Sequence, residues 1–275
     1  MSPATHEGKT FLFNTEIKPI EDLSQEWFSC YKHIYEVIRV VNRSPVFLDY
    51  HIERLNRSCT LSGFEPIDRL QLRTSITQFI SQEWEQECNI KLSLCYSKYD
   101  DNSPHVLAHY IPSHYPTPAM YNHGVSVGLL PQSRPKPNVK AHNQPLREMA
   151  DSMIKANGYY EVLLVNGSGC ITEGSRSNFF IVVKGRLITP PAGEVLEGIT
   201  RRVVIELLQE HGIECVQESI PAESIQHIQG AFLTGTSPKV LPIRQIGSLI
   251  LPKIPILVRQ IMGLYNHAMT RNNAN

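Results

Sequence analysis

Residues 171–201 read ITEGSRSNFFIVVKGRLITPPAGEVLEGITR. Phe179–Val183 and Arg186–Thr189 are runs of β-branched and aromatic residues flanking Lys184–Gly185, which predicts two strands joined by a tight turn. Past the prolines, Val203, Val204, Leu207 and Leu208 share a face at helical spacing, so a helix starts at Ile199 or Thr200 and ends near Gly212. A helix beginning at Gly198-Ile199-Thr200 offers free N–H groups, the positive end of its dipole and a hydroxyl, which together suit an anion. The same residues also suit an ordinary threonine cap. Before the strands, Thr172–Asn178 is a polar segment in which Glu173 is either a solvated loop residue or a buried carboxylate. If buried, it needs a cationic or N–H partner, and a protonated heterocyclic nitrogen would serve.

Working toward the N-terminus, Leu146, Met149, Ala150, Met153 and Ile154 predict a helix that Gly158 closes, followed by a strand over Glu161–Val165. Upstream of that helix, residues 131–138 (PQSRPKPN) hold three prolines and two cationic residues. Proline stiffens a segment and removes backbone donors, so this is the best place for an interdomain linker. It separates a small domain, 1–130, from a larger one, 139–275. Lys140 stands just beyond it, where an amine can project into a cleft between domains or sit solvated on the surface. Burial or neighbouring cations make such an amine nucleophilic.

In the first part, Phe11–Asn14, Ile34–Val41, Ile90–Tyr96, Val106–Ile111 and Val125–Leu130 read as strands. One helix after Asp49 has Ile52, Leu55 and Cys59 on one face and Gly63 as its stop. A second, Pro66 to about Gln82, has Leu70, Ile76, Phe79 and Ile80 as contacts. Arg54 lies on the first of these helices, one residue before Leu55, where a solvated face is the simplest reading. Near the C-terminus, Ala231–Thr234 reads as a buried strand running into Gly235-Thr236-Ser237, hydroxyls that can present donors to a phosphate or simply form a polar turn. Pro255 starts a final helix.

Composition sets the outer bounds. The 275 residues carry 26 basic and 26 acidic side chains, a balance that argues against a nucleic-acid or membrane-surface footprint. Apolar residues at 41% and charged residues at 19% are globular proportions. The opening MSPATHEGKT lacks the layout of a signal peptide, and the 6 scattered cysteines form no C-x-x-C pair, so a cytoplasmic protein with reduced thiols and no metal centre is expected.

A phosphate cup, an amine and a carboxylate are the parts that pyridoxal phosphate requires. The segments YEVIRV (35–40), HIERL (51–55), K-x-x-N (140–143), GYYE (158–161), ITEGSRSNFF (171–180), TPPAGEVLEGITR (189–201) and LTGTSPKVLPI (233–243) occur in one order. In that order they resemble the class IV aminotransferases, the fold-type IV pyridoxal-phosphate enzymes that include branched-chain and D-amino-acid aminotransferases and aminodeoxychorismate lyase. The resemblance implies an α+β chain with a small α/β domain and a larger cofactor-binding domain with a barrel-like β core, assembled as a homodimer. It implies Lys140 as the Schiff-base lysine, Glu173 on the pyridine nitrogen, and Arg54, Ile199, Thr200 and Thr236 around the phosphate. The expected reaction moves an amino group between an amino acid and a 2-oxo acid. The alternatives are release of pyruvate by a lyase, and a cofactor-binding protein without turnover.

The substrate candidates are Tyr35, Arg39, Arg176 and Ser237. Tyr-x-Val-x-Arg at 35–39 is similar to the Tyr-x-Val-x-Lys of the D-amino-acid enzymes, whereas the branched-chain pattern has a glycine in this strand. Three departures accompany it. Ser97–His105 lacks the Arg-x-His arrangement that holds the substrate carboxylate in the D-specific enzymes. Tyr31-Lys32-His33 replaces a glycine-rich turn, and Arg176 replaces a residue that is usually small. Val37 stands where the lyases typically have a threonine, which favours transamination.

Overall fold

The computed structural model describes residues 8–24, 31–82, 87–97, 104–140 and 143–272. The chain forms two compact units. The first comprises Met1–His114, Val139–His142 and Met269–Asn275; the second comprises Tyr115–Asn138 and Asn143–Ala268.

The first unit contains β1 (Thr10–Phe13), β2 (Glu16–Pro19), β3 (Tyr31–Val41), β4 (Ser44–Pro45), helices α1 (Leu48–Leu61) and α2 (Arg69–Gln82), β5 (Glu87–Ser97) and β6 (His105–Ile111). Its strands form an antiparallel sheet in the order β2-β1-β6-β5-β3-β4. Strand side chains alternate between faces, so Ile34, Ile38 and Val40 of β3 point one way. There they join Ile52, Leu55 and Cys59 of α1 and Ile76, Phe79 and Ile80 of α2 in one core. The same alternation sends Glu36 to the core side, an expensive place for a carboxylate unless it is paired. Gly63, with φ of 81°, follows the end of α1 as its position in the sequence suggests.

Helix α2 begins at Arg69 rather than Pro66. Asn56 holds Ile67 in an irregular conformation, accepting from its N–H at 3.0 Å and donating to its carbonyl at 2.8 Å, and Asp68 caps the helix by accepting from Gln71 N at 2.7 Å. Leu70, expected as a core contact, is 74% exposed. It lies on the outer side of a helix whose buried stripe is Leu72, Ile76, Phe79 and Ile80.

The second unit contains α3 (Pro118–His123), β7 (Val125–Leu130), α4 (Gln144–Asn157), β8 (Glu161–Val165), β9 (Cys170–Gly174), β10 (Asn178–Val183), β11 (Arg186–Thr189), α5 (Ile199–Glu210), β12 (Cys215–Gln217) and β13 (Ile220–Pro221). It continues with β14 (Gly230–Gly235), β15 (Lys239–Ile246), β16 (Leu249–Ile250) and α6 (Ile256–Asn272), of which residues up to Ala268 belong here. The strands form one sheet in the order β12-β11-β10-β14-β15-β7-β8-β9-β13, with β16 on β15. The Lys184–Gly185 turn is made by φ values of 49° and 76°, the left-handed pair a tight hairpin requires. An apolar core over this sheet gathers Val127, Leu163, Phe179, Leu233 and Leu241. Leu146 and Ala150 of α4 pack with Val162 and Leu164, while Met149, one of the residues whose spacing predicts this helix, is 43% exposed.

The boundary differs from the one expected at 131–138. The second unit begins at Tyr115, ahead of β7, and β7 pairs in parallel with β8 and β15. Its apolar alternation suits either sheet, and only the long-range pairing decides. The proline-rich 131–138 segment is irregular and belongs to the second unit. Of the polar segment Thr172–Asn178, residues up to Gly174 belong to strand β9. Strand β15 was masked in the sequence by Pro242, which is tolerated next to the register shift between Ile243 and Gln245. Among the described residues, no helix is long and apolar enough to cross a membrane, and no cluster of His, Cys, Asp and Glu has the arrangement of a metal site. The described cysteines are free thiols, Cys59, Cys88 and Cys95 buried and Cys170 and Cys215 half-buried; Cys30 lies outside the described residues.

Candidate active site

In the first unit the charged groups gather on Glu36. Its side chain is completely buried and accepts from Arg54 Nε at 2.8 Å, Arg54 Nη2 at 2.5 Å and His51 Nδ1 at 2.8 Å. Arg54 and His51 are one helical turn apart on α1, so both reach the same point on β3. Lys140 enters from the side. Its carbonyl accepts from Tyr35 N at 3.2 Å, docking the 139–140 segment along β3, and its Nζ stands 3.7 Å from Glu36 Oε2. The same Nζ is 5.6 Å from the centre of the Tyr35 ring.

Burial alone would raise the Glu36 carboxyl. Arg54, Lys140 and the His51 hydrogen bond outweigh it and hold Glu36 well below the usual carboxylate range. Burial pushes His51 down against the pull of Glu36, so the ring is neutral near pH 7 and its Nδ1 carries the proton given to the carboxylate. One anion thus stands among two cations, which leaves a positive balance suited to a phosphate. Arg54, read from the sequence as a solvated helix residue, is buried because of this carboxylate.

In the second unit Glu173 is the next-to-last residue of β9 and is buried. It accepts from Arg134 Nε at 2.7 Å and from Leu196 N at 3.3 Å, while Arg134 Nη2 donates to Ser175 O at 3.0 Å. Burial raises the Glu173 carboxyl and Arg134 opposes that only in part. A carboxyl so placed favours a further cationic N–H donor. The turn after it is folded back by Glu161, also buried, which accepts from Ser175 Oγ at 2.6 Å, Val162 N at 2.9 Å, Arg176 N at 3.2 Å and Ser177 Oγ at 3.3 Å.

Helix α5 starts at Ile199 with Gly198 as its cap, which brings no side-chain hydrogen bond to the first N–H groups. A Cβ on Gly198 would overlap Asn178 Oδ1, and Asn178 Nδ2 donates to Leu196 O at 2.7 Å, so glycine is required for this close approach. Arg201 is buried and braces the helix start by donating from Nη2 to Pro190 O at 2.9 Å and to Gln217 Oε1 at 3.0 Å. Thr200 Oγ1 lies 3.3 Å from Tyr265 OH, both buried. Thr236 and Ser237 lie in the turn just past β14, half-buried.

Two substrate candidates have their guanidinium groups engaged. Arg39 donates from Nε to Glu87 at 2.7 Å, and the exposed Arg176 pairs with Asp151. Tyr35 is half-buried, with Lys91 Nζ 5.2 Å from its ring centre. The 97–105 segment discussed for the substrate carboxylate lies for the most part, 98–103, outside the described residues, as do Ala141 and His142 of K-x-x-N; the side chains of Tyr31 and Lys32 are likewise not described. Sequence reasoning missed Glu36, Arg134 and Glu161. For Glu36 a signal existed, since an acid at the inward position of an otherwise apolar strand calls for a buried cation.

Each unit by itself carries groups that fit pyridoxal phosphate: the first a cation-rich cluster beside a lysine amine, the second a glycine-capped helix start and a buried carboxyl. Residues 33–246 match the family model described as amino-transferase class IV, and the chain belongs to that family. It is 25% identical over 223 residues to the D-alanine aminotransferase of Bacillus licheniformis, covering 78% of each chain. It is 35% identical to the branched-chain-amino-acid aminotransferase of Pseudomonas aeruginosa over 91 residues, 33% of this chain and 30% of that one. A relative from Methanocaldococcus jannaschii is likewise matched over 44% of its own length. In fold, the chain resembles the branched-chain aminotransferase from Thermobaculum terrenum in its PLP form, with a TM-score of 0.85, 22% identity and coverage of 98% and 96%. The Escherichia coli branched-chain enzyme gives a TM-score of 0.84 at 21% identity, with coverage of 97% and 96%.

Proposed function

We propose that this chain transfers the amino group of an amino acid to a 2-oxo acid with pyridoxal phosphate as its cofactor. The observation that carries the proposal is Glu173, a buried carboxylate oriented by Arg134 Nε at 2.7 Å and Leu196 N at 3.3 Å, the kind of group a protonated pyridine nitrogen pairs with. When bound, the cofactor supplies a carbonyl that exchanges its oxygen for the amino group and a ring that takes up electrons released at the α-carbon.

The residues of the chain do the rest. Lys140 offers the amine that attaches the cofactor and moves the proton at the α-carbon. Glu173 keeps the pyridine nitrogen protonated, with Arg134 fixing its orientation. Arg54, the backbone N–H of Ile199, Thr200 and Thr236 hold the phosphate. Tyr35, beside the lysine amine, lines the substrate side, and Ser237 is a second contact there. Arg39 and Arg176 reach a substrate carboxylate only by exchanging Glu87 and Asp151 for it. A homodimer in the cytoplasm is the assembly and location this reading carries.

Adding single D- and L-amino acids to the cofactor-loaded protein tests the function. Conversion of the absorbance band above ~400 nm to the amine form, with release of the matching 2-oxo acid, is the expected result. A Lys140-intact protein that takes up no cofactor, or a loaded one that no amino acid converts, overturns it.

A further inference from the structure

The chemistry read from the sequence uses Lys140 and Arg54 but leaves the group between them without a task. Glu36 is fully buried on β3, takes both N–H bonds along one edge of the Arg54 guanidinium, and faces the Lys140 amine at 3.7 Å. The titratable groups facing its carboxylate are Arg54 and His51 from α1 and Lys140 from the 139–140 segment. We propose that Glu36 is a positioning residue, the shared anchor that holds the Lys140 amine and the Arg54 guanidinium in one cluster and sets how readily that amine sheds its proton to attack an aldehyde. This rests on the reading of Lys140 as the lysine that attaches the cofactor.

The physical argument has two opposing parts. An anion 3.7 Å from an amine favours its charged form, and a guanidinium held on the same anion disfavours it. Only the neutral amine has the lone pair that adds to an aldehyde carbon. The displaced proton goes to solvent, the carbonyl oxygen leaves as water, and a C=N bond remains. Two cations on one carboxylate therefore place the amine between a strongly held ammonium and a free base. Removing the carboxylate leaves Lys140 beside Arg54 with no anion, which drives the proton off. Removing the guanidinium leaves Glu36 to Lys140 and His51, which holds the proton on. A residue that served packing alone would not give shifts of opposite sign from the two substitutions.

The experiment follows the rate at which Lys140 of the apoprotein is reductively methylated by formaldehyde and cyanoborohydride across pH, read on the Lys140 peptide by mass spectrometry. Glu36→Gln is expected to move the midpoint of the rate profile down by about a unit or more, a roughly tenfold faster reaction on its acidic side. Arg54→Met is expected to move it up, and Glu36→Asp to stay near the parent. Circular dichroism establishes that each variant is folded. Midpoints that coincide for the parent, Glu36→Gln and Arg54→Met in folded protein, or that shift in the same direction, overturn the proposal. The failure of the transaminase reading shows separately, as a parent protein on which borohydride fixes no pyridoxal phosphate at Lys140. Should Glu36→Gln not fold, Arg54→Met against the parent still decides, since an unmoved or lowered midpoint there contradicts the shared anchor.

Discussion

Arg134 and Glu173 are 39 residues apart in sequence, and the guanidinium donates from Nε to the buried carboxylate at 2.7 Å while its Nη2 holds the Ser175 carbonyl. The arginine thus fixes both the acid and the turn that follows it. Both side chains are mostly buried, at 15% and 3% exposure, so the pair is weakly screened.

Removing one partner of such a pair leaves an uncompensated buried group. Arg134→Met is expected to destabilise the apoprotein by about 3–5 kcal/mol, measured by urea denaturation, and a second change of Glu173→Leu is expected to recover part of the loss. Glu173→Gln keeps the shape but supplies no negative charge for a pyridine nitrogen, so turnover should fall by roughly a hundredfold or more while the protein stays folded. Unchanged turnover in Glu173→Gln would remove the residue from its role.

Acid should loosen the first unit through Glu36. Its carboxyl lies below its ordinary value in the folded protein, so its contribution is present above the unfolded value of about 4.3 and is lost as pH falls. Stability of the parent should therefore drop as pH is lowered from about 5 toward 2. Glu36→Gln has no such proton to take up, so it should start less stable at pH 7 and show a shallower decline. Urea midpoints of the two apoproteins across this range provide the comparison. Parallel curves would mean that Glu36 is not held in its charged form.

Gly198 is expected to be intolerant of the smallest change. In Gly198→Ala the new methyl meets Asn178 Oδ1, so Asn178 must swing away and release Leu196 O. Leu196 N in turn donates to Glu173, so the strain passes from the helix start to the carboxylate. Overpacking of this kind costs about 1–3 kcal/mol. Affinity for pyridoxal phosphate, measured by equilibrium dialysis, should fall with it. An alanine variant that binds as tightly as the parent would show that the helix start can move without cost to the site.

Local pattern carried most of the fold. The alternation of β3, the helical stripe of α1 and the Lys184–Gly185 turn are properties of neighbouring residues, so they are visible without partners. Pairing is not such a property. Nothing near Val125–Leu130 says that β7 joins β8 and β15 rather than the first sheet, and nothing in PQSRPKPN says that Arg134 reaches back to Glu173. Arg54 shows the limit most sharply. Its place on an amphipathic helix suggested solvent, and only the inward acid on a strand 18 residues away makes its burial stable. Lys140, Glu173 and the 198–200 helix start were each open to a bland reading, and only the resemblance of the ordered segments to a family drew them together. Glu36, Glu161 and Arg134 were not singled out, because their partners define them.

Tyr265 belongs to this second kind. Its hydroxyl lies 3.3 Å from Thr200 Oγ1, and either atom has the capacity to donate. A phenol is the stronger acid of the two, so the favoured arrangement has Tyr265 donating to Thr200, which leaves the threonine proton to point to a phosphate. Tyr265→Phe removes this direction and almost no volume. The affinity for pyridoxal phosphate should fall about threefold to tenfold, the scale of one modest hydrogen bond. Affinity for pyridoxal, which has the same ring and aldehyde but no phosphate, should hold. The ratio of the two dissociation constants, measured on the apoprotein by absorbance titration, separates orientation of the phosphate donor from a general loosening of α6. Equal losses for both ligands would assign Tyr265 to packing alone, and no loss for either would leave Thr200 oriented by its own helix.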